Sequence, residues 1–272
     1  MSETPYWHRQ SDVALFADSQ WSKPERKSHA GKLLIIGGST HEFARTQTAF
    51  TVANELGIGE CKVVLPVSLK PMLGTLNDIE YLPTLASGSF ALESEEALRE
   101  FMIWSDTVLF PGEIGRNSET TQLLEHCISS TTMRVIITRD AFDVLLPESK
   151  QLVRRPYTTL VLSFSQLQNL LKIIEWPEGV KSTMTVSELI RILHELTTSF
   201  EADILMYFET NLIVATDGEI VTTRIDKEPE AWRLDLATRA SLWQTWLPDK
   251  SFDALATACW EFKDQINTSI RT

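Results

Sequence analysis

What most constrains this chain is a recurring pattern of short, wholly aliphatic runs, each closed by a turn and followed by a segment with helical spacing. A run without a polar face must be buried on both sides, which is the environment of a parallel strand sandwiched between helices. Leu33 to Ile36 is the clearest case, closed by Gly37-Gly38-Ser39 and followed by Phe50, Ala53 and Leu56 at helical spacing over Thr46 to Leu56. The signal returns at Cys61 to Pro66, Thr107 to Phe110, Arg134 to Thr138 and Thr159 to Leu162. Helical patterns alternate with these runs at Glu93 to Ile103 (opened by Ser94), Ser118 to Ile128 (capped by Ser118), Ser165 to Ile174 and Thr185 to Leu196. Ile204 to Phe208 and Leu212 to Thr216 read as neighbouring strands, and Asp217-Gly218 before Ile220-Val221 reads as a hairpin turn into a third. Leu234 to Trp246 and Phe252 to Ile266 then read as two C-terminal helices. The expectation is an α/β chain, doubly wound, with a mostly parallel sheet, an antiparallel edge and Leu33 to Ile36 as a central strand.

At 272 residues and 43% hydrophobic content, the chain can bury one large core. No linker rich in Pro, Gly or Ser divides it, so we expect a loose N-terminal arm over residues 1–25 and a single domain over 26–272. Lys and Arg total 25 against 37 Asp and Glu, a net charge of −12 that repels a phosphate backbone, so no nucleic-acid partner is expected. Cys61, Cys127 and Cys259 lack the spacing of a zinc site. With no signal-peptide pattern and no uninterrupted apolar stretch of about 18 residues, we expect a reduced, cytoplasmic chain with no membrane partner.

Close approach of backbone to phosphate, or a turn with positive φ, calls for glycine. All eleven glycines lie at or before Gly218, so a glycine-built phosphate loop must sit in the N-terminal or middle part. Gly37-Gly38-Ser39, between a strand and a helix, is either such a loop or an ordinary tight turn. Pro111-Gly112-Glu113-Ile114-Gly115-Arg116 has the same setting, with Arg116 facing a phosphate or pairing with Glu113 or Glu119 on the surface. Gly57-Ile58-Gly59 reads as a helix end. Asp140 follows a strand, where open α/β sheets place ligands. The five histidines show no paired spacing, and Trp232, Trp243, Trp246 and Trp260 read as core or subunit contacts.

Taken in order, these segments resemble the ADP/ATP-dependent NAD(P)H-hydrate dehydratases. Lys23 to Gly31 running into Lys32 to Ser39 is similar to that family's Ser-His-Lys-Gly stretch, strand and Gly-Gly-Ser. Pro111 to Arg116 is similar to Gly-Pro-Gly-Leu-Gly-Arg with Phe110 at the first glycine, and Thr138 to Phe142 to Asp-Ala-Asp-Ala-Leu with Asp140 as the retained aspartate. The resemblance implies a ribokinase-like three-layer α/β/α fold, ADP or ATP with Mg as cofactor, a nucleotide or NAD(P)H-like small molecule as partner, and a homo-oligomer. It also implies eroded chemistry. Leu162 to Gln166 stands for Thr-Pro-His-Pro-Gly-Glu with Ser163 at the histidine, and Tyr207 stands at a lysine. Ala237 to Trp243 stands for Ala-Thr-Ala-Gly-Ser-Gly-Asp, which keeps Ser241 and puts Ala240 and Leu242 at glycines and Trp243 at the catalytic aspartate. Nucleotide or substrate binding is then carried by Gly37, Gly38, Ser39, Gly112, Gly115, Arg116, Asp140 and Ser241, with no catalytic residue and no metal ligand. Three readings follow: a degenerate homologue, an active enzyme drawing its base from Asp140 or Asp235, or a structural partner of an active paralogue.

Overall fold

The computed structural model describes residues 4–225 and 232–271. Residues 1–3 of the expected arm lie outside the described residues. The ten strands, in chain order, are β1 (Trp7–Gln10), β2 (Lys32–Ile36), β3 (Glu60–Pro66), β4 (Ile79–Leu82), β5 (Thr107–Phe110), β6 (Arg134–Thr138), β7 (Thr158–Leu162), β8 (Asp203–Phe208), β9 (Asn211–Thr216) and β10 (Glu219–Arg224). Between and after them run α1 (Ala44–Leu56), α2 (Lys70–Leu73), α3 (Glu95–Trp104), α4 (Ser118–Ser130), α5 (Arg139–Leu145), α6 (Ser149–Leu152), α7 (Phe164–Ile173), α8 (Val186–Ser199), α9 (Trp232–Trp246) and α10 (Ser251–Arg271).

One sheet takes all ten strands in the order β1-β10-β9-β8-β7-β6-β5-β2-β3-β4. The run from β8 to β4 is parallel throughout, and β9 is antiparallel to both β8 and β10. β2 lies inside the sheet between β5 and β3, and Leu33 to Ile36 are fully buried, as an all-apolar run requires. Alternate residues feed two cores: Leu34, Ile36, Val108, Phe110, Val135 and Ile137 face the layer of α3, α4, α5, α7 and α8. Leu33, Ile35, Leu109, Ile136, Val161 and Leu205 face α1, α9 and α10. The result is a three-layer α/β/α architecture.

Two expectations need correction. Within the segment expected to be a loose arm, Trp7 to Gln10 pairs in parallel with Ile220 to Thr223. Gln10 holds it there, donating to Thr223 Oγ1 at 2.6 Å and to the Ala256 carbonyl at 2.8 Å. The cap of α4 is Asn117, whose side chain accepts from the Glu119 N–H at 2.9 Å, not Ser118. Of the tryptophans, Trp232 and Trp243 are buried, and Trp246 donates to the Ala30 carbonyl at 3.0 Å, so these serve the fold from within. The three cysteines are buried, and burial pushes the thiols of Cys61 and Cys127 up to about 12 and about 11.

At the N-terminal edge of the strands, Asp203 Oδ2 accepts from Ser251 Oγ (2.6 Å), Gln244 Nε2 (3.1 Å) and Thr159 Oγ1 (3.2 Å), tying β7, β8, α9 and α10 together. Burial raises its pKa above the ordinary carboxylate value. A raised native pKa means that the folded state holds the proton more tightly than the unfolded chain does. The stability this contributes is complete below the unfolded value of about 3.9 and is lost as pH rises through the native value. Asp203→Asn cannot ionise, so its melting temperature should draw ahead of wild type as pH rises from about 4 to about 8. Parallel melting curves across that range would refute the assignment.

Candidate functional site

Strands β2, β5, β6 and β7 are adjacent and parallel, so the segments that follow them emerge at one edge. Open α/β sheets place their ligands there. The segments are Gly37-Gly38-Ser39, Pro111 to Arg116, Arg139-Asp140 and Ser163. Five residues at this edge have left-handed backbone: Gly38 (φ 85°), Gly112 (105°), Glu113 (62°), Gly115 (81°) and Arg139 (58°). For Glu113 and Arg139, which carry Cβ atoms, that conformation costs of order 1–3 kcal/mol each, strain of the kind found at functional sites.

Hydrogen bonds explain how the strain is held. Asp140 Oδ2 accepts the Glu113 N–H at 2.8 Å, clamping the loop after β5 to the start of α5. Glu113 is itself buried, and its carboxylate accepts the Arg45 backbone N–H at 2.9 Å and Arg45 Nη1 at 3.1 Å. Burial nevertheless raises its pKa. Glu113, expected as a surface partner for Arg116, is thus engaged by Arg45. Arg116 is exposed and lines a cleft of about 690 Å³ with Asn117, Asp143, Ser163, Gln166 and Arg233. Gln166 is the hub of that cleft: Nε2 donates to the Arg139 carbonyl at 2.7 Å and to Asp143 Oδ1 at 2.8 Å, while Oε1 accepts from Arg233 Nη1 and from the Ser163 N–H, each at 3.1 Å. Ser163 caps α7 in a reciprocal capping box with Gln166.

The edge therefore brings together Gly37, Gly38, Ser39, Gly112, Gly115, Arg116 and Asp140. In the first turn, the Gly37 N–H bonds the Val64 carbonyl at 3.3 Å and the Ser39 N–H bonds the Glu42 carbonyl at 2.7 Å. A Cβ on Gly37 would lie 2.9 Å from the Gly112 carbonyl oxygen, so this glycine lets two turns pack against each other. Ser241, expected among the binding residues, does not join the edge: as the helical spacing of Leu234 to Trp246 predicts, α9 runs unbroken from Trp232 to Trp246. Ser241 is fully buried and donates to the Ala237 carbonyl at 2.8 Å, and Trp243 is buried with Nε1 on Glu261 Oε2 at 3.1 Å, facing α10 rather than the cleft. The physical reason lies in the segment itself, which has neither Gly nor Pro and is buried from Leu236 to Gln244 between the sheet and α10. A helix uses these N–H groups internally and leaves none for an anion.

The end of α9 that reaches the cleft is its first turn, which carries Arg233. Asp235, in the same turn, is bonded at 2.6 Å to Nε of buried Arg239, which also meets Glu261 and Gln265. Burial raises the Asp235 pKa. The carboxylates at the cleft edge already accept from protein donors: Glu113 from Arg45, Asp140 from the Glu113 N–H and Asp143 from Gln166. Among the described residues no three acids gather into a metal-binding group, so the edge does not fit Mg²⁺ with a near-octahedral set of protein oxygens. Sequence reasoning passed over Arg45, Arg139, Gln166 and Arg233, which only the sheet topology gathers.

No family model matches the chain, and no curated protein matches it by sequence. Solved structures match over most of its length. A ribokinase-like superfamily protein from Enterococcus faecalis is 14% identical with a TM-score of 0.72, covering 98% of this chain and 90% of that one. An ADP/ATP-dependent NAD(P)H-hydrate dehydratase from Bacillus subtilis, co-crystallised with ATP and Mg²⁺, is 13% identical with a TM-score of 0.59, covering 93% and 88%. A phosphomethylpyrimidine kinase from Clostridium difficile is 14% identical with a TM-score of 0.54, covering 87% and 99%. At such identities the likeness is one of fold: the chain has the three-layer α/β/α fold of the ribokinase-like structures.

Proposed function

We propose that this chain is a degenerate relative of the NAD(P)H-hydrate dehydratases. In this reading residues 26–272 act as one domain that keeps the ligand cleft, binds ADP or ATP weakly at most, and has little or no dehydratase activity. The observation that carries the reading is the first turn of α9. Its acid, Asp235, is held by Arg239, its cleft-facing side chain is Arg233, and no glycine follows Gly218 to build an anion hole before it. An anion-hole donor is worth about 10²–10³ in rate and a general base about 10²–10⁴, so turnover should fall by at least about 10⁴. Ligand binding is assigned to Gly112, Gly115, Arg116 and Asp140, together with Gly37, Gly38 and Ser39, whose turn packs against that of Gly112.

The test is recovery of NADPH absorbance from hydrated NADPH in the presence of ADP or ATP. No turnover above the uncatalysed background is expected. Robust turnover would overturn the reading, and Asp140→Asn and Asp235→Asn would then identify which carboxylate serves as base.

A further inference from the structure

Arg139 is an anomaly in an acidic protein. It sits at the ligand edge in left-handed backbone (φ 58°), its Nε is buried without a hydrogen-bond partner, and no carboxylate bonds its side chain among the described residues. The acids around it are committed elsewhere, Glu113 to Arg45, Asp140 to the Glu113 N–H and Asp143 to Gln166. Two further guanidiniums approach the same place through short chains of contacts. Arg45 is joined through Glu113 to Asp140, the neighbour of Arg139, and Arg233 is joined through Gln166 to the Arg139 carbonyl. Burial first, and then the positive charges of Arg45 and Arg233, disfavour the charged form of Arg139 against the pull of Asp140 and Glu113. Guanidiniums gathered against their own repulsion, one of them unsatisfied, are the arrangement that an anion completes.

We propose that Arg139, flanked by Arg45 and Arg233, binds a phosphate-bearing anion directly at the C-terminal edge of β6, with guanidiniums and no divalent cation neutralising it. The inference rests on the ligand cleft of the preceding reading and adds what holds the charge there. It accounts for the donor set: among the described residues no acidic cluster stands at the edge to hold Mg²⁺, whereas Arg forks match phosphate oxygens two at a time.

The experiment is isothermal titration calorimetry of the full chain with inorganic pyrophosphate, in EDTA and again in excess MgCl₂, repeated with ADP. Pyrophosphate should bind in EDTA, and Mg²⁺ should weaken the binding because it sequesters the anion. Arg139→Gly relieves the left-handed backbone while removing the guanidinium, and should weaken binding by about tenfold to a hundredfold. Arg139→Gln serves the same purpose should the glycine variant fail to fold. ADP binding through Arg139 as tightly as pyrophosphate or tighter identifies a nucleotide as the source of the phosphate, and preference for pyrophosphate identifies a free phosphate compound; either supports the site. Binding that requires Mg²⁺, binding indifferent to both Arg139 variants, or no binding at all would overturn it. A chain that fails here and also leaves hydrated NADPH untouched refutes this inference while the degenerate reading stands.

Discussion

The triple variant Ala240→Gly, Leu242→Gly, Trp243→Asp unfolds the protein instead of installing a catalytic turn. All three positions are buried in the middle of α9, Ala240 and Leu242 completely and Trp243 to 2% exposure. Each glycine costs about 1 kcal/mol in a helix interior, and truncating Leu242 and Trp243 costs about 2–5 kcal/mol apiece in lost packing. The new, buried carboxylate also lands beside half-buried Glu261, the acceptor that Trp243 now satisfies, and the two like charges repel. The sum, about 6–12 kcal/mol before the charge repulsion is added, is comparable with the whole stability of a domain at about 5–15 kcal/mol. Circular dichroism should show no cooperative thermal transition. A transition near the wild-type midpoint would mean that residues 237–243 are not core.

Gly112→Ala should be the most damaging single methyl addition at the ligand edge. A Cβ there would lie 2.3 Å from Asp140 Oδ1, and φ is 105°, where L side chains are strained. Gly57 supplies the control, because its φ is 98° and a Cβ there meets nothing within 4 Å. Gly57→Ala therefore reports backbone strain alone, about 1–2 kcal/mol, while Gly112→Ala adds displacement of Asp140 and loss of its bond to the Glu113 N–H, for a total of about 3–5 kcal/mol. Urea unfolding of the two variants gives the comparison. Equal losses would show that the contact between the β5 loop and Asp140 is soft.

Most of the sheet was legible because its inner strands are apolar on both faces, leaving residues such as Leu33 to Ile36 no other place to go. The outer strands were not. In β1, Trp-His-Arg-Gln, only Gln10 is buried, and in β4, Ile-Glu-Tyr-Leu, only Leu82 is, so neither has the run or the clean alternation that marks a strand. Helix α5 is too short, at seven residues, for periodicity to declare it. At the candidate site, the glycines and Asp140 were legible as turn residues after strands, but the hydrogen bonds that give Asp140 and Glu113 their roles were not. Arg45, Arg139 and Arg233 lie far apart in sequence and meet only through strand order. Residues 234–246 were legible as a helix from their spacing, and segment order added that they stand where the family carries a glycine turn; with Ala240 and Leu242 at its glycines, nothing breaks α9 there.

The parallel pairing of β1 with β10 makes the first of the ten strands to be synthesised one of the last to find its place. Gln10 meets Thr223 across 213 residues of chain, so β1 cannot dock until the β9–β10 hairpin has been synthesised and folded. Closing so long a loop is entropically costly and slow, and until it closes β10 presents its unpaired backbone, with Ile220 and Val221, to any other strand in the cell. The nascent chain thus passes through a stage in which nearly the whole sheet exists but one rim is adhesive, and β1 acts as the seal that ends it.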